Sequence, residues 1–204
     1  MKKIYPSSPD NYILNLEDQY VMRAGHLNYV IDELNGESTS GTVAPNVTVT
    51  ESNAGKFKIT ELTFTDIVVG SLPAAAVSKA IGVLLYTLPA GVQVTDIAYM
   101  SVGFTGTGTA NTPDVGVGST IASWANDLLY AAGATTEDYI TGQTATNITG
   151  TAVVATAVPA AAMTINTSAE VKTIHLNAAG AWAVGNTGNL TATGKIVIKW
   201  TQIS

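Results

Sequence analysis

The sequence contains no cysteine among its 204 residues, which excludes disulfide bonds, thiolate metal ligands and a cysteine nucleophile. Charge is also scarce, because Asp, Glu, Lys and Arg make up 12% of the chain, about half of the usual share. The net charge is −6 and Arg23 is the only arginine, so the basic clusters that bind nucleic-acid phosphates are missing. These shortages predict a chain that binds no nucleic acid, with a surface of small uncharged groups or one covered by neighbouring subunits.

Long apolar runs are absent as well. The longest one, from Ala80 to Leu88, is interrupted by Gly82 and Thr87 and is too short to cross a bilayer. Prolines and polar residues follow the basic start of the chain, where a signal peptide needs an apolar core. Apolar residues nevertheless make up 46% of the chain, which favours a packed core over disorder. The sequence therefore predicts a folded protein with no membrane contact, made and assembled in a cytoplasm.

Residues 1–45 are predicted to form a separate N-terminal part, composed of an extended arm, one amphipathic helix and a linker. Apolar residues recur at spacings of three and four between residues 20 and 34, and Asn35-Gly36 then supplies a helix stop. A helix of about four turns is marginal alone in water, so it packs on its own domain or docks on another protein. Both alternatives are open. The predicted stripe consists of Val21, Ala24, Leu27, Val30, Ile31 and Leu34.

Residues 46–204 are predicted to form a β domain, because the apolar pattern changes to a period of two after Pro45. Roughly eight or nine short strands are separated by Gly, Pro, Asn and Thr turns. This pattern is typical of an antiparallel β-sandwich, here jelly-roll-like, so the expected fold is mainly β.

Several details of the β domain follow from the alternation of apolar side chains along each strand and from the turn residues. A phase change predicts a bulge near Glu61, and another predicts a bulge near Asp96. Pro89-Ala90-Gly91 predicts a tight turn that pairs 80–88 with 92–102 as antiparallel neighbours. Residues 121–131 are predicted to be a helix-like insertion. Further strands are expected at 47–50, 57–69, 114–118, 151–157, 162–166, 171–177 and 195–200.

Side chains suited to catalysis are few and separated along the chain. A nucleophilic triad needs a histidine within reach of a serine or threonine. The chain has two histidines, His26 and His175, and both are predicted to pack or to form hydrogen bonds. Adjacent carboxylates point in different directions, and Asp96, Asp114 and Asp127 lack the Asp-x-Asp spacing of a calcium loop. No catalytic residue, metal or cofactor is therefore predicted. A polysaccharide-cleaving enzyme would need a facing pair of carboxyls with one raised pKa.

The aromatic residues are the remaining candidates for binding. Trp124, Tyr130 and Tyr139 are close in sequence around the predicted insertion. Exposed aromatic side chains on the rim of a β-sandwich can stack on sugar rings or anchor a protein interface. The alternative is that they fill the core.

Two stretches together resemble virion proteins of tailed bacteriophages. The segment from Arg23 to Asn35 is similar to a short N-terminal helix of such proteins. The β part, with Asp114-Val115-Gly116-Val117-Gly118 and a closing strand after Gly194, resembles small jelly-roll modules of capsid decoration and head-fibre proteins.

The resemblance implies a non-enzymatic structural protein that decorates the capsid surface. Its N-terminal arm and helix stripe would dock on the major capsid protein, and its β domain would project, usually as a homotrimer. The implied location is the virion surface, after assembly in the host cytoplasm. The alternative is a tail-associated or receptor-binding module that recognises host surface glycans through Trp124, Tyr130 and Tyr139.

Overall fold

The computed structural model describes residues 12–14, 21–23, 42–54, 57–88, 92–106, 112–129, 134–157, 173–183 and 188–203. The chain divides into two compact units, Met1–Ser40 and Gly41–Ser204. Nowhere in the described ranges does a helix reach the length and apolar character that crossing a bilayer requires.

The first unit contains a pair of short strands where the sequence predicted an arm and the start of a helix. Strand β1 (Tyr12–Leu14) pairs antiparallel with β2 (Val21–Arg23). The helix prediction is therefore wrong at Val21, because β-branched and aromatic residues favour strands once a partner strand is present. The remaining stripe residues, Ala24, Leu27, Val30, Ile31 and Leu34, lie outside the described residues.

Within its described residues, the second unit contains ten strands and one short 3₁₀ helix at Ala134–Thr136. The strands are β3 (Thr42–Val43), β4 (Val47–Ala54), β5 (Phe57–Leu72), β6 (Val77–Thr87), β7 (Val92–Thr105), β8 (Asp114–Gly118), β9 (Ile140–Thr144), β10 (Thr149–Ala157), β11 (Thr173–Trp182) and β12 (Gly188–Ile203).

These strands form two five-stranded sheets. The first sheet has the order β10-β7-β12-β5-β4, and the second sheet has the order β3-β6-β11-β8-β9. Every pairing within them is antiparallel. The prediction of a mainly β, antiparallel domain is therefore confirmed.

One hydrophobic core lies between the two sheets. Alternate residues of the first sheet, such as Leu62, Met100 and Ile196, are fully buried against residues of the second sheet, such as Leu176. The two largest core side chains also satisfy their polar atoms. Trp200 Nε1 donates to Thr60 Oγ1 at 2.8 Å, and Trp182 Nε1 donates to the Lys79 carbonyl at 2.8 Å. The indole N–H groups of Trp182 and Trp200 therefore both have a partner, as a stable core requires.

The predicted hairpin between β6 and β7 is wrong. Strand β6 pairs with β3 and β11 in the second sheet, whereas β7 pairs with β10 and β12 in the first. The connection between them crosses from one sheet to the other. A short turn signal is compatible with either arrangement, and the alternation of apolar residues specifies a buried face but not the neighbouring strand.

Of the two predicted bulges, one is confirmed. The pairing of β12 with β7 passes from Ile97 to Thr95 and skips Asp96, as predicted. Near Glu61 the pairing is continuous on both sides, so the bulge predicted there is wrong. The irregularity lies instead after Phe64, where Asp66 has a φ of 52°. Aspartate tolerates this left-handed conformation, and the bulge restores Ile67 to the core.

The predicted helix-like insertion is also wrong within the described residues, because 121–129 contain no helix. We name residues 119–129 and 134–139 the cover segment. It lies against the second sheet, and the Ala80 N–H donates to the Trp124 carbonyl at 2.8 Å. Ala122 and Leu129 pack on Ala80 and Ala179. Tertiary packing, rather than helical hydrogen bonding, therefore fixes this segment.

Most of the remaining predicted strands are present. Those at 47–50, 57–69, 114–118, 151–157 and 195–200 lie within the strands given above. The one at 171–177 begins at Thr173 in the structure and extends to Trp182. The strand predicted at 162–166 lies outside the described residues.

Candidate interaction surfaces

One buried side chain of the second sheet, Asn177, makes three hydrogen bonds to the cover segment. Its Oδ1 atom accepts a hydrogen bond from the Ala122 N–H at 2.8 Å. Its Nδ2 atom donates to the carbonyls of Thr120 at 3.0 Å and Thr136 at 2.7 Å. Asn177 is 0% exposed. The side-chain amide thus uses both its oxygen and its nitrogen. It provides hydrogen-bond partners for backbone groups that would otherwise be buried without a partner.

Glycines of the second sheet allow the cover segment to approach closely. A Cβ atom on Gly118 would overlap the backbone of Thr136, and one on Gly116 would lie 2.8 Å from Glu137 Cβ. As a result, residues 174–180 of β11 are all buried, although they point to both faces of the sheet. The chain itself therefore covers the outer face of the second sheet over β11, while Leu84 of the neighbouring β6 stays 37% exposed.

The outer face of the first sheet is open. We name this surface the open face. Val154 and Ile97 are 61% and 39% exposed on it. Cross-strand neighbours continue it across the sheet, since Val197 lies opposite Tyr99 on β7 and opposite Glu61 on β5. Its side chains are Ala152, Val154, Thr156, Ile97, Tyr99, Lys195, Val197, Lys199, Glu61, Thr63, Thr48 and Thr50.

The charged groups of the open face have partners on it. Lys195 Nζ lies 3.3 Å from Glu61 Oε2. Lys199 Nζ lies 4.1 Å from the centroid of the Phe57 ring, a cation–π distance. The face therefore carries one acidic and two basic groups, each in contact with a neighbour, among aliphatic and threonine side chains.

An acidic depression of about 510 Å³ lies at the edge of the second sheet, near β8 and β9. Asp114, Asp127 and Glu137 line it. Asp114 Oδ2 accepts a hydrogen bond from the Leu129 N–H at 3.0 Å, and Glu137 accepts one from the Gly142 N–H. In the described part of the chain, no group of three or more acidic or histidine residues is placed to hold a metal ion. Two of these carboxylates therefore attach the cover segment to the sheet edge.

The buried carboxyl of this depression predicts a pH dependence of stability. Burial raises the pKa of Glu137 above 4.5, with a smaller contribution from Asp114, while the Gly142 hydrogen bond opposes the shift. A raised native pKa means that folding favours the protonated acid, so its contribution to stability is lost as pH rises above 4.5. Glu137→Gln keeps an acceptor oxygen and does not titrate.

We therefore expect the stability of Glu137→Gln relative to the wild type, measured as the difference in free energy of unfolding, to increase as the pH is raised from 4.5 to 7. Urea denaturation at both pH values measures this change. A difference that stays constant, or that turns in favour of the wild type at pH 7, would contradict the assignment.

Ser119, Asp138 and His175 are the nearest approach to a nucleophilic constellation. His175 lies opposite Gly118, the residue before Ser119. The Ser119 hydroxyl, however, donates to Asp138 Oδ2 at 2.7 Å, and the Ser119 N–H donates to Oδ1 of the same carboxylate at 2.7 Å. In a triad the hydroxyl donates to histidine instead. The pair here closes the turn at which β8 ends and the cover segment begins.

His175 is a packing residue, as predicted. It is 8% exposed, and its Nδ1 atom is buried without a hydrogen-bond partner. Burial lowers the pKa of His175, so the neutral imidazole is favoured.

Of the three aromatic residues predicted for glycan binding, the two that the structure describes, Trp124 and Tyr139, are not fully exposed. Tyr139 is 7% exposed in the main core, where burial raises its pKa strongly. Trp124 is half-buried against the small cluster beneath the cover segment. Tyr130 lies outside the described residues. Tyr139 is therefore not available to a glycan platform, because it is buried in the main core just before β9 begins.

An apolar groove of about 510 Å³ lies between the two sheets near β3 and β5. Val43, Val68 and Leu84 are the exposed apolar residues that line it. Neither this groove nor the open face was identified from the sequence. The alternation of threonine with aliphatic residues gives a signal for a half-exposed strand, but it does not show which outer face another segment covers.

Among solved structures, a chain of the "Cyanophage Pam1 capsid asymmetric unit" is similar to this chain at 12% identity, with a TM-score of 0.30. The match covers 82% of this chain and 94% of that chain. No protein-family model matches the sequence, and no curated protein matches it. A TM-score of 0.30 is too low to carry a functional conclusion.

Proposed function

We propose that the chain is a non-enzymatic structural protein that decorates the capsid surface of a bacteriophage. The order of the strands carries this proposal. Strands β5 to β12 are eight strands, which can be counted from one to eight in chain order. In the first sheet, the neighbouring strands are then the first, eighth, third and sixth. In the second sheet, they are the second, seventh, fourth and fifth. This order supports the jelly-roll-like sandwich expected from the sequence, a fold of viral capsid proteins and lectins, with β3 and β4 as added edge strands.

A jelly roll alone does not specify function, so the surface chemistry has to distinguish the candidates. The Ser119 hydroxyl is engaged by Asp138 rather than by a histidine. Tyr139, a member of the proposed glycan site, is in the core. The open face carries aliphatic and threonine side chains, which suit contact with protein better than contact with sugar. These observations favour a structural role over catalysis and over glycan recognition.

Attachment to the shell is assigned to the first unit. Met1–Ser40 form a compact unit of their own, distinct from the two-sheet unit. The apolar side chains at Ala24, Leu27, Val30, Ile31 and Leu34 would bury against the major capsid protein. Many copies on one lattice would offset the ordering cost of each contact. The β unit would then project from the virion as part of a homotrimer.

Deletion of residues 1–36 tests this assignment. We expect the truncated protein to be lost from purified particles, at least about tenfold, because it lacks the anchoring contacts; a loss of about 1.4 kcal/mol per copy suffices for that factor. Quantitative immunoblotting of particles measures the incorporation. Circular dichroism of the purified protein checks that the β unit is intact.

Leu128→Asp serves as the matched control, because Leu128 is 56% exposed on the second unit and should not affect anchoring. Undiminished incorporation of the truncated protein would refute the anchoring role. Binding to a glycan array that Trp124→Ala abolishes without unfolding would instead support the receptor-binding alternative.

A further inference from the structure

We propose that the open face is the surface through which two copies of this chain associate. This inference deepens the proposed function, on which it rests for the expectation that copies assemble. Its test uses the purified protein alone, so its failure is distinguishable from failure of capsid attachment.

The first observation is the difference between the two outer faces. The cover segment buries the outer face of the second sheet over β11, where Asn177 and Ala179 are 0% exposed. On the open face, Val154 is 61% exposed and Ile97 is 39% exposed. A two-sheet domain that covers one outer face with its own chain and leaves aliphatic side chains in solvent on the other is typical of a protein whose open face is buried by a partner.

The second observation is the charge of the open face. The whole chain carries −6, so two copies repel each other through most orientations. Among the described side chains of the open face there is one acidic group, Glu61, whose charge is matched by Lys195 at 3.3 Å. Lys199 lies over the Phe57 ring. Because these groups are already paired on the same face, a second copy can approach here without meeting unpaired acidic side chains.

The third observation is the unprotected edge beside this face. Strand β10 lies at one end of the first sheet and, among the described strands, pairs with β7 alone. Its nine residues, TGTAVVATA, include no charged residue and no proline, and its register shift is confined to the start of the strand, between Thr149 and Ala152. Natural proteins usually protect such an edge with lysine, proline or a bulge, because its free backbone groups can pair with another chain. The edge extends the same contact surface beyond Val154.

The size of the open face is sufficient for a stable contact. Five strands spaced about 4.8 Å apart, each contributing about nine residues of about 3.3 Å, cover roughly 600–700 Å². A typical specific interface buries about 800 Å² on each partner. The face and the adjoining β10 edge together reach this range.

A second copy fits this chemistry better than a charged partner would. A nucleic acid or a strongly basic protein would need unpaired charges on the face, and Glu61, Lys195 and Lys199 already have partners. A second copy presents the same aliphatic and hydroxyl side chains, and these can pack and exclude water without new ion pairs.

The test is the mass of the purified full-length protein in solution, measured by light scattering over a range of concentrations. We expect the wild type to exceed the 21.0 kDa of one chain. Val154→Lys should raise the dissociation constant at least about tenfold, because it places a like charge from each copy in a contact that excludes water. Leu128→Lys, at an equally exposed leucine on the cover segment, should keep the wild-type mass.

A wild type that remains at 21.0 kDa at every concentration would overturn the proposal, as would a folded Val154→Lys that keeps the wild-type mass. Hydrogen exchange of the wild type gives a second measurement, which needs no variant to fold. The amides of β10 should become more protected as concentration rises. Protection that is independent of concentration would also overturn it.

Discussion

Replacing Asn177 with alanine is expected to lower the free energy of unfolding by about 3–5 kcal/mol. The side chain makes three buried hydrogen bonds, to the backbones of Ala122, Thr120 and Thr136. Each bond contributes about 1 kcal/mol net, and each backbone group left buried without a partner costs about 1–3 kcal/mol. Urea denaturation measures the change. The cover segment should also lose protection from hydrogen exchange before the two sheets do.

Asn189→Ala is the matched control. Asn189 is an exposed strand residue whose side chain accepts one hydrogen bond from Ser71 at 3.3 Å. Its replacement should change the free energy of unfolding by less than about 0.5 kcal/mol, as is usual for surface positions. If Asn177→Ala were no more destabilising than Asn189→Ala, Asn177 would not be the residue that holds the cover segment on the sheet.

Gly118→Ala is expected to be similarly damaging, for a steric reason. The added Cβ would overlap the backbone carbonyl of Thr136 and approach that of Thr135, and backbone atoms cannot rotate away as a flexible side chain can. The cover segment must therefore move, and we expect a loss of roughly 3 kcal/mol, at the upper end of overpacking costs. Thermal unfolding followed by circular dichroism measures it.

Gly150→Ala is the control that measures the cost of an unfavourable backbone conformation without steric overlap. Gly150 has a φ of +93°, but an added Cβ there would meet only Thr105 Oγ1 at 3.9 Å. Its expected cost is about 1–2 kcal/mol, because the left-handed conformation alone disfavours a side chain. A Gly118→Ala variant as stable as Gly150→Ala, or more so, would show that the cover segment is not in close contact with β8.

The sequence predicted best where a signal is local. The period of two identified the strands, and the parity change at Asp96 located a true bulge, because both follow from which side chains face the core. The same parity could not reveal that β6 and β7 lie in different sheets. Partner choice depends on contacts between distant residues, and a short turn is compatible with either arrangement.

The cover segment shows why the candidate surfaces were harder to predict. Trp124 and Leu128 lie four residues apart, as on a helix, yet the segment is fixed by Asn177, which is about fifty residues away in the chain. Nothing local to Asn177 marks it as an anchor, since it follows Leu176 in an ordinary strand. Which outer face is covered, and which is left open, therefore becomes apparent only in three dimensions.

The central claim is that this chain is a capsid-surface protein anchored by its first unit and projecting its two-sheet unit. Cryo-electron microscopy of particles that carry the protein with a label at the C-terminal end tests it most directly. We predict label density at regular positions on the outside of the shell. Density confined to the tail, or particles without the protein, would contradict the account.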